Sequence, residues 1–374
     1  MLVAGEASGD LHGAELARSL LELEPGLALS GIGGAAMERA GVRLLHRAED
    51  LAVVGFAEVL PKLGQIWRTL REMKSYLARR RPELLILIDF PDFNFRLGRA
   101  AHRLGIKVLY YVCPQVWAWR RGRARKMAGF VDRLACIFPF EPEFLAPLAP
   151  ELRAEFVGHP LLDQPASAAG DGPWPVPEAS TVVGLLPGSR RSELTRLLPV
   201  MLEAAGIMLA KRPELHFVLP LAPGLKRVQL EPFLTRAPGG LTVLPGQAAE
   251  VMARARVLLV ASGTATLQAA LAGTPMVVVY KTGTFNYLVA RSLIKVEHIA
   301  MPNLVAGRQV VPELIQGQAT PESLARQAAL LLDDGPARQA MLEGLAEVRR
   351  RMGGPGASRR VAQMALELVE RGAS

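Results

Sequence analysis

The chain has 374 residues, half of them hydrophobic, which is enough for two domains with sizeable cores. Its two cysteines, Cys113 and Cys136, have no metal-like spacing and favour a reduced, cytosolic compartment without disulfides. The six histidines form no H-E-x-x-H pattern, so we expect neither a metal nor a cofactor. No apolar run approaches the ~18 residues of a membrane-spanning helix, and MLVAGEASGD lacks the basic segment of a signal peptide.

The formal net charge is +9, and the excess lies in one part of the chain. Residues Phe56 to Arg133 carry 17 Lys and Arg against 6 Asp and Glu, whereas the remainder carries 27 against 29. A basic region of this kind predicts an anionic partner, which is nucleic acid, a phospholipid surface or a phosphorylated substrate.

Apolar strands alternate with amphipathic helices, a pattern typical of parallel sheets covered on both faces. The pattern restarts after a segment rich in Pro, Gly, Ala and Ser. We therefore predict an α/β protein with two doubly wound, Rossmann-like domains that face a cleft, in which ligands bind outside the carboxyl ends of the strands. The predicted domains are residues 1–165 and 180–352, with a linker at 166–179. The last helix, in 353–374, is expected to pack back on the N-terminal domain.

The first polar loop is GEASGDLHG, Gly5–Gly13, which follows a short strand. Small residues such as Gly9 let backbone N–H groups approach an anion at the start of a helix. Glu6, Ser8 and Asp10 are candidates to contact hydroxyl groups. The alternative is an ordinary helix start with Ser8 or Asp10 as the N-cap.

The stretch Phe56–Arg81 interleaves apolar residues with Lys and Arg, as in a basic amphipathic helix. Such a helix either lies in the interface of an anionic membrane or packs its apolar face into a core. The sequence leaves both alternatives open.

The stretch LLILIDFPDFN, Leu84–Asn94, is an apolar strand that ends in two acids, Asp89 and Asp92. A carboxylate at the carboxyl end of such a strand is a candidate general base. The alternative is that Asp92 only caps a helix that begins near Phe93.

The stretch PQVWAWRRGRARK, Pro114–Lys126, combines Trp117 and Trp119 with a run of basic residues. Interleaved basic and aromatic residues occur in nucleic-acid-binding proteins. No RNA-recognition motif accompanies them, so we expect no nucleic acid partner. The alternatives are core packing for the tryptophans and a solvated helix face for the basic run.

The loop LLPGSRRSEL, Leu185–Leu194, opens the predicted C-terminal domain. Ser189 and the free N–H groups suit a phosphate, and the Arg190 guanidinium can donate charge-assisted hydrogen bonds to it. Ser192 and Glu193 are candidates for local capping contacts instead.

The loop LLVASGTATLQAAL, Leu258–Leu271, places Ser262, Gly263 and Thr264 between a buried strand and an Ala-rich helix. Backbone N–H groups in this position form an anion-binding nest, so we expect it to bind a diphosphate. The G-x-x-x-x-G-K-[ST] pattern of a P-loop is absent, which disfavours ATP or GTP hydrolysis.

Six motifs stand in the order of one known family: AGEASGD, IDFPDFN, PQVWAWR, LPGSR, SGTATLQ and MPNLVAGRQVVPELIQ, from Ala4 to Gln316. On these residues the chain resembles the lipid-A-disaccharide synthases, which are inverting, metal-independent GT-B glycosyltransferases. The resemblance implies transfer from a UDP-2,3-diacylglucosamine donor to 2,3-diacylglucosamine 1-phosphate, giving a β(1→6) disaccharide 1-phosphate and UDP. A cytoplasmic enzyme held peripherally at the inner membrane is therefore expected. The basic, apolar stretch 56–81 is the expected contact with the anionic lipid surface. A homodimer is left open.

The resemblance implies roles for residues of the N-terminal domain. Asp92 in PDFN is the best candidate for the general base, and Asp89 is assigned to orienting the loop. Glu6 and Ser8 match the N-terminal loop of the family.

In the C-terminal domain, Arg190 and Asn303 match the LPGSR and PNLLAG positions of the family. The diphosphate is expected at the N–H groups that open the helix from Ser262 to Thr266. The family usually has Glu after SGTATL, to hold the ribose hydroxyls, whereas this chain has Gln268. An amide accepts one hydrogen bond and donates another, so the geometry at the ribose is altered.

Two rival classes of protein stay open. A UDP-sugar epimerase shares the fold and the diphosphate nests but needs no lipid acceptor. A basic nucleic-acid-binding protein accounts for the charge and leaves the four polar loops unexplained.

Overall fold

The structure is a computed structural model, and it describes residues 1–51, 56–118, 120–163, 174–222, 224–235, 237–283, 287 and 296–373. Of residues 56–63 and 371–373 only the backbone is described. The chain divides into two compact units. Unit 1 comprises Met1–Asp163 and Gly354–Ser374, and unit 2 comprises Gln164–Gly353. Trp119 and most of the predicted linker lie outside the described residues.

Unit 1 contains a parallel sheet with the strand order β3-β2-β1-β4-β5-β6-β7. Its strands are β1 (Leu2–Ala4), β2 (Ser30–Gly33), β3 (Arg43–Arg47), β4 (Leu84–Ile88), β5 (Lys107–Tyr111), β6 (Arg133–Cys136) and β7 (Ala154–Phe156). Its helices are α1 (Ala7–Leu23), α2 (Ala35–Arg39), α3 (Phe56–Arg80), α4 (Pro91–Arg103), α5 (Gly122–Ala128), α6 (Glu141–Leu145) and the last helix, α14 (Ala357–Ala373). The direction of winding reverses between β1 and β4, and this reversal is the switch point of the sheet.

Unit 2 contains a second parallel sheet, with the order β10-β9-β8-β11-β12-β13. Its strands are β8 (Thr181–Leu186), β9 (Leu215–Leu221), β10 (Leu241–Pro245), β11 (Val257–Ala261), β12 (Met276–Tyr280) and β13 (Glu313–Ile315). Its described helices are α7 (Arg191–Lys211), α8 (Glu231–Leu234), α9 (Ala248–Arg254), α10 (Thr264–Ala272), α11 (Met301–Ala306), α12 (Pro321–Leu332) and α13 (Pro336–Arg351). The switch point lies between β8 and β11. The predicted α/β class with two Rossmann-like sheets is confirmed.

The central strands are fully buried, which explains their continuous apolar sequences. Every residue of β4, LLILI, is buried, and so is every residue of β11, VLLVA. Helices cover both faces of such a sheet, so the side chains on both sides of each central strand are buried and apolar. The carboxyl ends of these strands are where polar loops can reach solvent.

The last helix belongs to unit 1 and packs against α1. Its first N–H groups need partners, and the Asp163 carboxylate supplies them. Gly356 N and Ala357 N donate to Oδ1 over 2.6 and 3.1 Å, and Ser358 N donates to Oδ2 over 2.8 Å. Asp163 is the last residue of the first segment of unit 1, and it fixes the start of α14 in the second segment.

Helix α3 divides its described side chains between the core and solvent. Leu70, Met73 and Leu77 are buried in the hydrophobic core of unit 1. Trp67 is 50% exposed, with the Arg96 guanidinium 4.7 Å from the centre of its ring. Among the helices that the structure describes, none is both long and apolar enough to cross a lipid bilayer.

Candidate functional site

A cavity of about 360 Å³ lies at the switch point of the unit 2 sheet. The loops that follow β8 and β11 form much of its wall, as ligand sites in open parallel sheets require. The predicted residues that line it are Ser189, Arg190, Ser262, Gly263, Thr264 and Gln268. The structure therefore brings together two motifs that are far apart in the sequence.

The loop after β11 presents the start of α10 to this cavity. The first N–H groups of a helix have no partner within the helix, and they carry its positive dipole end. Thr266 is fully buried and does not line the cavity; its Oγ1 donates to Gly263 O over 2.7 Å. Ser262 Oγ donates to Ile299 O over 3.0 Å. Thr266 and Ser262 therefore hold the loop, while the N–H groups remain for an anion.

The loop after β8 is closed on itself by Glu193. Glu193 Oε2 accepts from Ser189 N and Arg190 N over 3.0 and 3.1 Å, and Oε1 accepts from Arg190 Nη1 over 3.1 Å. A Cβ on Gly188, whose φ is +107°, would lie 2.2 Å from Glu193 Oε2. The capping alternative is thus correct for Glu193, and the N–H groups expected to bind a phosphate already have a carboxylate partner. Arg190 keeps 72% of its side chain exposed.

Asn303 was expected at the substrate, but its amide is buried and fully used by protein groups. Oδ1 accepts from Val310 N and Val311 N over 2.7 and 2.9 Å. Nδ2 donates to Val311 O over 2.9 Å and to Glu313 Oε1 over 2.7 Å. These four hydrogen bonds use both polar atoms of the Asn303 amide. Asn303 does not line the unit 2 cavity.

Asn303 still acts on the cavity through Glu313. Glu313 accepts from Ile299 N over 3.2 and 3.1 Å and from Ala300 N over 3.0 Å. The carbonyl of Ile299 in turn holds the Ser262 hydroxyl. A single network of hydrogen bonds thus connects the MPNLVAG motif with the SGTATLQ motif.

The second group of predicted residues lies at the switch point of the unit 1 sheet. Glu6 follows β1, is exposed and forms the N-cap of α1 without a side-chain hydrogen bond. Asp89 follows β4, the neighbour of β1. The charge on Glu6 acts on Asp89 and raises the pKa of Asp89, after the larger effect of burial. The structure therefore brings Glu6 and Asp89 together.

Asp89 stands on strained backbone. Asp89 and Phe90 have φ values of +45° and +47°, in the left-handed region that non-glycine residues rarely adopt. Asn94 Nδ2 and the Tyr110 hydroxyl donate to the Asp89 carbonyl over 2.7 and 2.6 Å and hold this conformation. Gly5 makes room for the Phe90 ring, since a Cβ there would lie 2.3 Å from it.

The Asp89 carboxyl is an acid with a shifted pKa. Burial, and then the charge of Glu6, raise its pKa to about 6, against the opposing hydrogen bond from the Phe90 backbone. Such a pKa lies near neutrality, where a general base works best.

Asp92 has a different environment. It lies in the first turn of α4, whose N-cap is Phe90, so the alternative in which Asp92 caps this helix is wrong. Its side chain is 76% exposed and forms an ion pair with Arg123, with Arg120 Nη1 3.9 Å from its Oδ1. Asp89 and Asp92 therefore differ in exposure and in partners, although they belong to the same motif.

The other residues of the first loop divide between solvent and packing. Ser8 is exposed and is not the N-cap of α1. A Cβ on Gly9 would lie 3.2 Å from the Cβ of Ala4, so close helix–strand packing explains this glycine. Asp10 is buried and accepts from the N–H groups of Gly34, Ala36 and Met37 over 2.7, 3.0 and 3.0 Å. It therefore caps α2 through both of its carboxylate oxygens.

A cavity of about 200 Å³ adjoins Asp89. Its wall is formed by the loops after β4, β5 and β6, including Asp89, Pro91, Val112, Cys113, Pro114, Gln115, Val116, Arg123, Ile137 and Phe138. Behind it, buried Glu141 accepts from Trp117 Nε1 over 3.2 Å. Burial raises the pKa of Glu141 to about 8, although its hydrogen bonds act in the opposite direction. Glu141 was not predicted, because only a buried partner such as Trp117 distinguishes it from a surface acid.

Two parallel sheets, each with a polar pocket at its switch point, define the class of fold. The chain superposes on the glycotransferase of kitacinnamycin with a TM-score of 0.66 and 20% identity, covering 98% of both chains. It superposes on UDP-GlcNAc 2-epimerase from Neisseria meningitidis bound to UDP-GlcNAc with a TM-score of 0.63 and 14% identity, covering 98% of this chain and 99% of that one. The fold is therefore that of GT-B glycosyltransferases and these epimerases.

The comparison of sequences selects the family within this class. A family model described as lipid-A-disaccharide synthetase matches residues 1–367. Lipid-A-disaccharide synthase from Anaeromyxobacter dehalogenans is 45% identical over 373 residues, which cover 99% of this chain and 97% of that protein. The synthase from Syntrophus aciditrophicus is 45% identical over 376 residues, with coverage of 99% and 98%. The chain belongs to the lipid-A-disaccharide synthetase family of glycosyltransferases, and the resemblance predicted from its motifs is confirmed.

Proposed function

We propose that this chain transfers the sugar of UDP-2,3-diacylglucosamine to the 6-hydroxyl of 2,3-diacylglucosamine 1-phosphate. The products are the β(1→6) disaccharide 1-phosphate and UDP. The observation that carries the proposal is the 360 Å³ cavity in unit 2, where two family motifs surround the start of α10. The family match over residues 1–367 supplies the substrate class.

The donor diphosphate binds at the start of α10. The N–H groups of Gly263 and Thr264 and the positive end of the helix dipole suit two phosphates. When UDP departs, negative charge builds up on the phosphate, and donors already in place stabilise it without rearrangement. Gln268 lines the same cavity and takes the ribose.

Arg190 assists from the opposite wall. In the structure its guanidinium pairs with Glu193, and most of its length is exposed to solvent. An exposed pair of this kind contributes about 0.2–1 kcal/mol, whereas a hydrogen bond to a phosphate contributes more. We infer that Arg190 leaves Glu193 for the diphosphate when the donor binds.

Asp89, rather than Asp92, is the general base. Its carboxyl borders a cavity, is held on fixed backbone and has a pKa of about 6. Asp92 forms an ion pair with Arg123, which stabilises the ionised carboxylate and weakens it as a proton acceptor. The sequence ranked these acids in the opposite order.

The proton balance of the transfer is simple. Asp89 accepts the proton of the acceptor 6-hydroxyl while the hydroxyl oxygen bonds to the anomeric carbon of the donor. The bond between that carbon and the UDP oxygen breaks, and attack from the opposite side gives inversion. Glu6 raises the proton affinity of Asp89 by its charge.

Helix α3 is the proposed contact with the anionic inner membrane. Its exposed residues include Trp67, Arg68, Arg71, Lys74, Arg79 and Arg80. A basic side chain near an anionic surface contributes about 1 kcal/mol, and an aromatic ring suits the interface. The side chains of residues 56–63, which belong to the same amphipathic stretch, are not among those that the structure describes.

Vesicle sedimentation tests the membrane contact. Replacement of Arg79 and Arg80 by Glu should reduce binding to phosphatidylglycerol vesicles by at least about tenfold, given that each charge contributes about 1 kcal/mol. Arg349→Glu with Arg350→Glu, on exposed positions of α13, is the charge-matched control. Equal loss in both pairs would show that only net charge matters and would remove α3 from the proposal.

The function is tested by incubating the chain with both acylated sugars and analysing the products by mass spectrometry. We expect the disaccharide 1-phosphate and one UDP for each molecule formed. A UDP-sugar epimerase would change the donor alone, without acceptor and without net release of UDP. An isomerised donor with no disaccharide would overturn the proposal in favour of that class.

A further inference from the structure

The unit 1 sheet brings the two cysteines of the chain into one buried cluster with Glu141. Cys113 follows the end of β5, Cys136 ends β6, and Glu141 begins α6. The two Sγ atoms and a carboxylate oxygen of Glu141 all lie within 4.8 Å of one another. Both thiols are free. The neighbouring strands β5 and β6 therefore create a proximity that the spacing in the sequence did not indicate.

The carboxylate of this cluster is already oriented. Trp117 Nε1 donates to Oε1 over 3.2 Å, and Ile137 N and Phe138 N donate to Oε2 over 3.1 and 3.0 Å. Such partners fix the direction of a ligand in metal sites and are as important as the ligand itself. Oε2 accepts two hydrogen bonds and Oε1 accepts one, so Oε1 keeps a lone pair for a cation.

One side of the cluster opens to the cavity beside Asp89. Cys113 lines that cavity of about 200 Å³ together with Asp89 and Arg123. A cation bound to the cluster would therefore have three protein ligands and one position directed to a space that can hold water. Zinc sites with this arrangement exchange their fourth ligand, in contrast to closed structural sites.

We propose that Cys113, Cys136 and Glu141 form a binding site for a divalent cation of the zinc class. Two sulfur atoms and one carboxylate oxygen suit Zn²⁺ and Cd²⁺, whereas Mg²⁺ and Ca²⁺ prefer oxygen ligands alone. The thiols give up their protons to the solvent when the cation binds. The competing explanation is that Glu141 only caps the turn at Ile137 and Phe138.

The site has a consequence for catalysis, and this step rests on the proposed function. The two thiols release two protons when the divalent cation binds, so the net positive charge near Asp89 does not rise. The fourth ligand of the cation instead occupies part of the cavity beside Asp89, where the acceptor hydroxyl has to enter. Occupancy should therefore lower the rate of sugar transfer. The cation acts here as an inhibitor and takes no part in the reaction.

Cadmium binding to the full chain, reduced with a phosphine, tests the site. We expect one equivalent of Cd²⁺ with an ultraviolet charge-transfer band from sulfur to metal, and competition by Zn²⁺ but not by Mg²⁺. Cys113→Ser and Cys136→Ser should each weaken binding by at least about tenfold, and the double variant should lose the band. Because the chain has only these two cysteines, the band cannot come from other thiols.

Glu141→Gln and Glu143→Gln form a matched pair on α6, the first buried and the second exposed. Glu143→Gln should bind Cd²⁺ as the parent chain does, whereas Glu141→Gln should bind it at least about tenfold more weakly. Circular dichroism checks that Glu141→Gln folds. If it does not, Cys113→Ala tests the loss of a ligand in its place. Equal Cd²⁺ affinity in the parent and the double cysteine variant, or no band in folded parent chain at excess Cd²⁺, would overturn the site.

Activity measurements separate this proposal from the proposed function. With both sugars, Cd²⁺ should inhibit the parent chain at least about tenfold more strongly than the double cysteine variant, each relative to its own metal-free rate. A charge-transfer band in a chain that forms no disaccharide would support the cation site and count against the proposed function. Equal inhibition of parent and variant would overturn the link between the site and catalysis.

Discussion

The sites in units 1 and 2 occupy the same point of similar sheets, but they are built from different groups. In unit 1 the functional group is the Asp89 side chain, held on non-glycine backbone with φ of +45° and shifted in pKa by burial. In unit 2 the functional groups are the backbone N–H groups at the start of α10, in a loop with glycine at the unusual angle, Gly263. Proton transfer needs a titratable side chain, whereas anion binding needs only oriented amides.

The two sites also differ in where backbone strain lies. A non-glycine residue in the left-handed region costs about 1–3 kcal/mol, and Asp89 and Phe90 are both in that region. The loop that opens α10 in unit 2 avoids this cost by using Gly263, which has no Cβ to clash. Strain is thus found where a side chain must point in one direction, and is absent where the backbone itself is the binding group.

The largest effect is expected from the base. Asp89→Asn should lower turnover by about 10²- to 10⁴-fold, because the amide cannot accept the proton, while UDP affinity stays within about twofold. Asp92→Asn, three residues away, should lower it about fivefold or less, since an exposed ion pair contributes about 0.2–1 kcal/mol. Steady-state rates and UDP calorimetry check both variants. The reverse order of effects would return the base to Asp92.

The sequence could not show which of these two acids is better suited to act as the general base. Both follow the same apolar strand, and their spacing gives no information on burial. Asp89 differs because the chain turns into the left-handed region there and buries its carboxyl near Glu6. Asp92 differs because α5 brings Arg123 to it from another part of the chain. Both causes are contacts between distant segments.

The fold was predictable because it depends on local periodicity. Continuous apolar strands such as Leu84–Ile88 and Val257–Ala261 indicate parallel sheets without knowledge of partners. Helix starts depend on more than periodicity: α7 begins at Arg191 because Glu193 closes a capping box with Arg190. Asn303 illustrates the limit, since the motif marked its importance but not its burial.

An intermediate effect is expected from the anion site of unit 2. Arg190→Ala should weaken UDP binding and lower turnover by about 10- to 100-fold, because a hydrogen bond to a charged group contributes about 1.5–3 kcal/mol. Arg191→Ala is the matched control, since Arg191 is the exposed next residue at the start of α7. Product inhibition by UDP measures the affinity. If both variants keep the parent inhibition constant, the wall formed by the LPGSR loop takes no part in donor binding.

The smallest effect is expected in the pH dependence, and it sharpens the contrast between the two sites. Asp89 must be ionised to accept a proton, so kcat/KM should rise with pH up to about 6, the pKa of Asp89, and level off above it. Glu6→Gln removes a negative charge that raises this pKa, and the rising limb should therefore move to lower pH. Glu22→Gln, an exposed change at the far end of α1, should leave the limb in place. A limb that does not move in Glu6→Gln would mean that the titrating group is not Asp89, because the charge of Glu6 acts on Asp89 within unit 1.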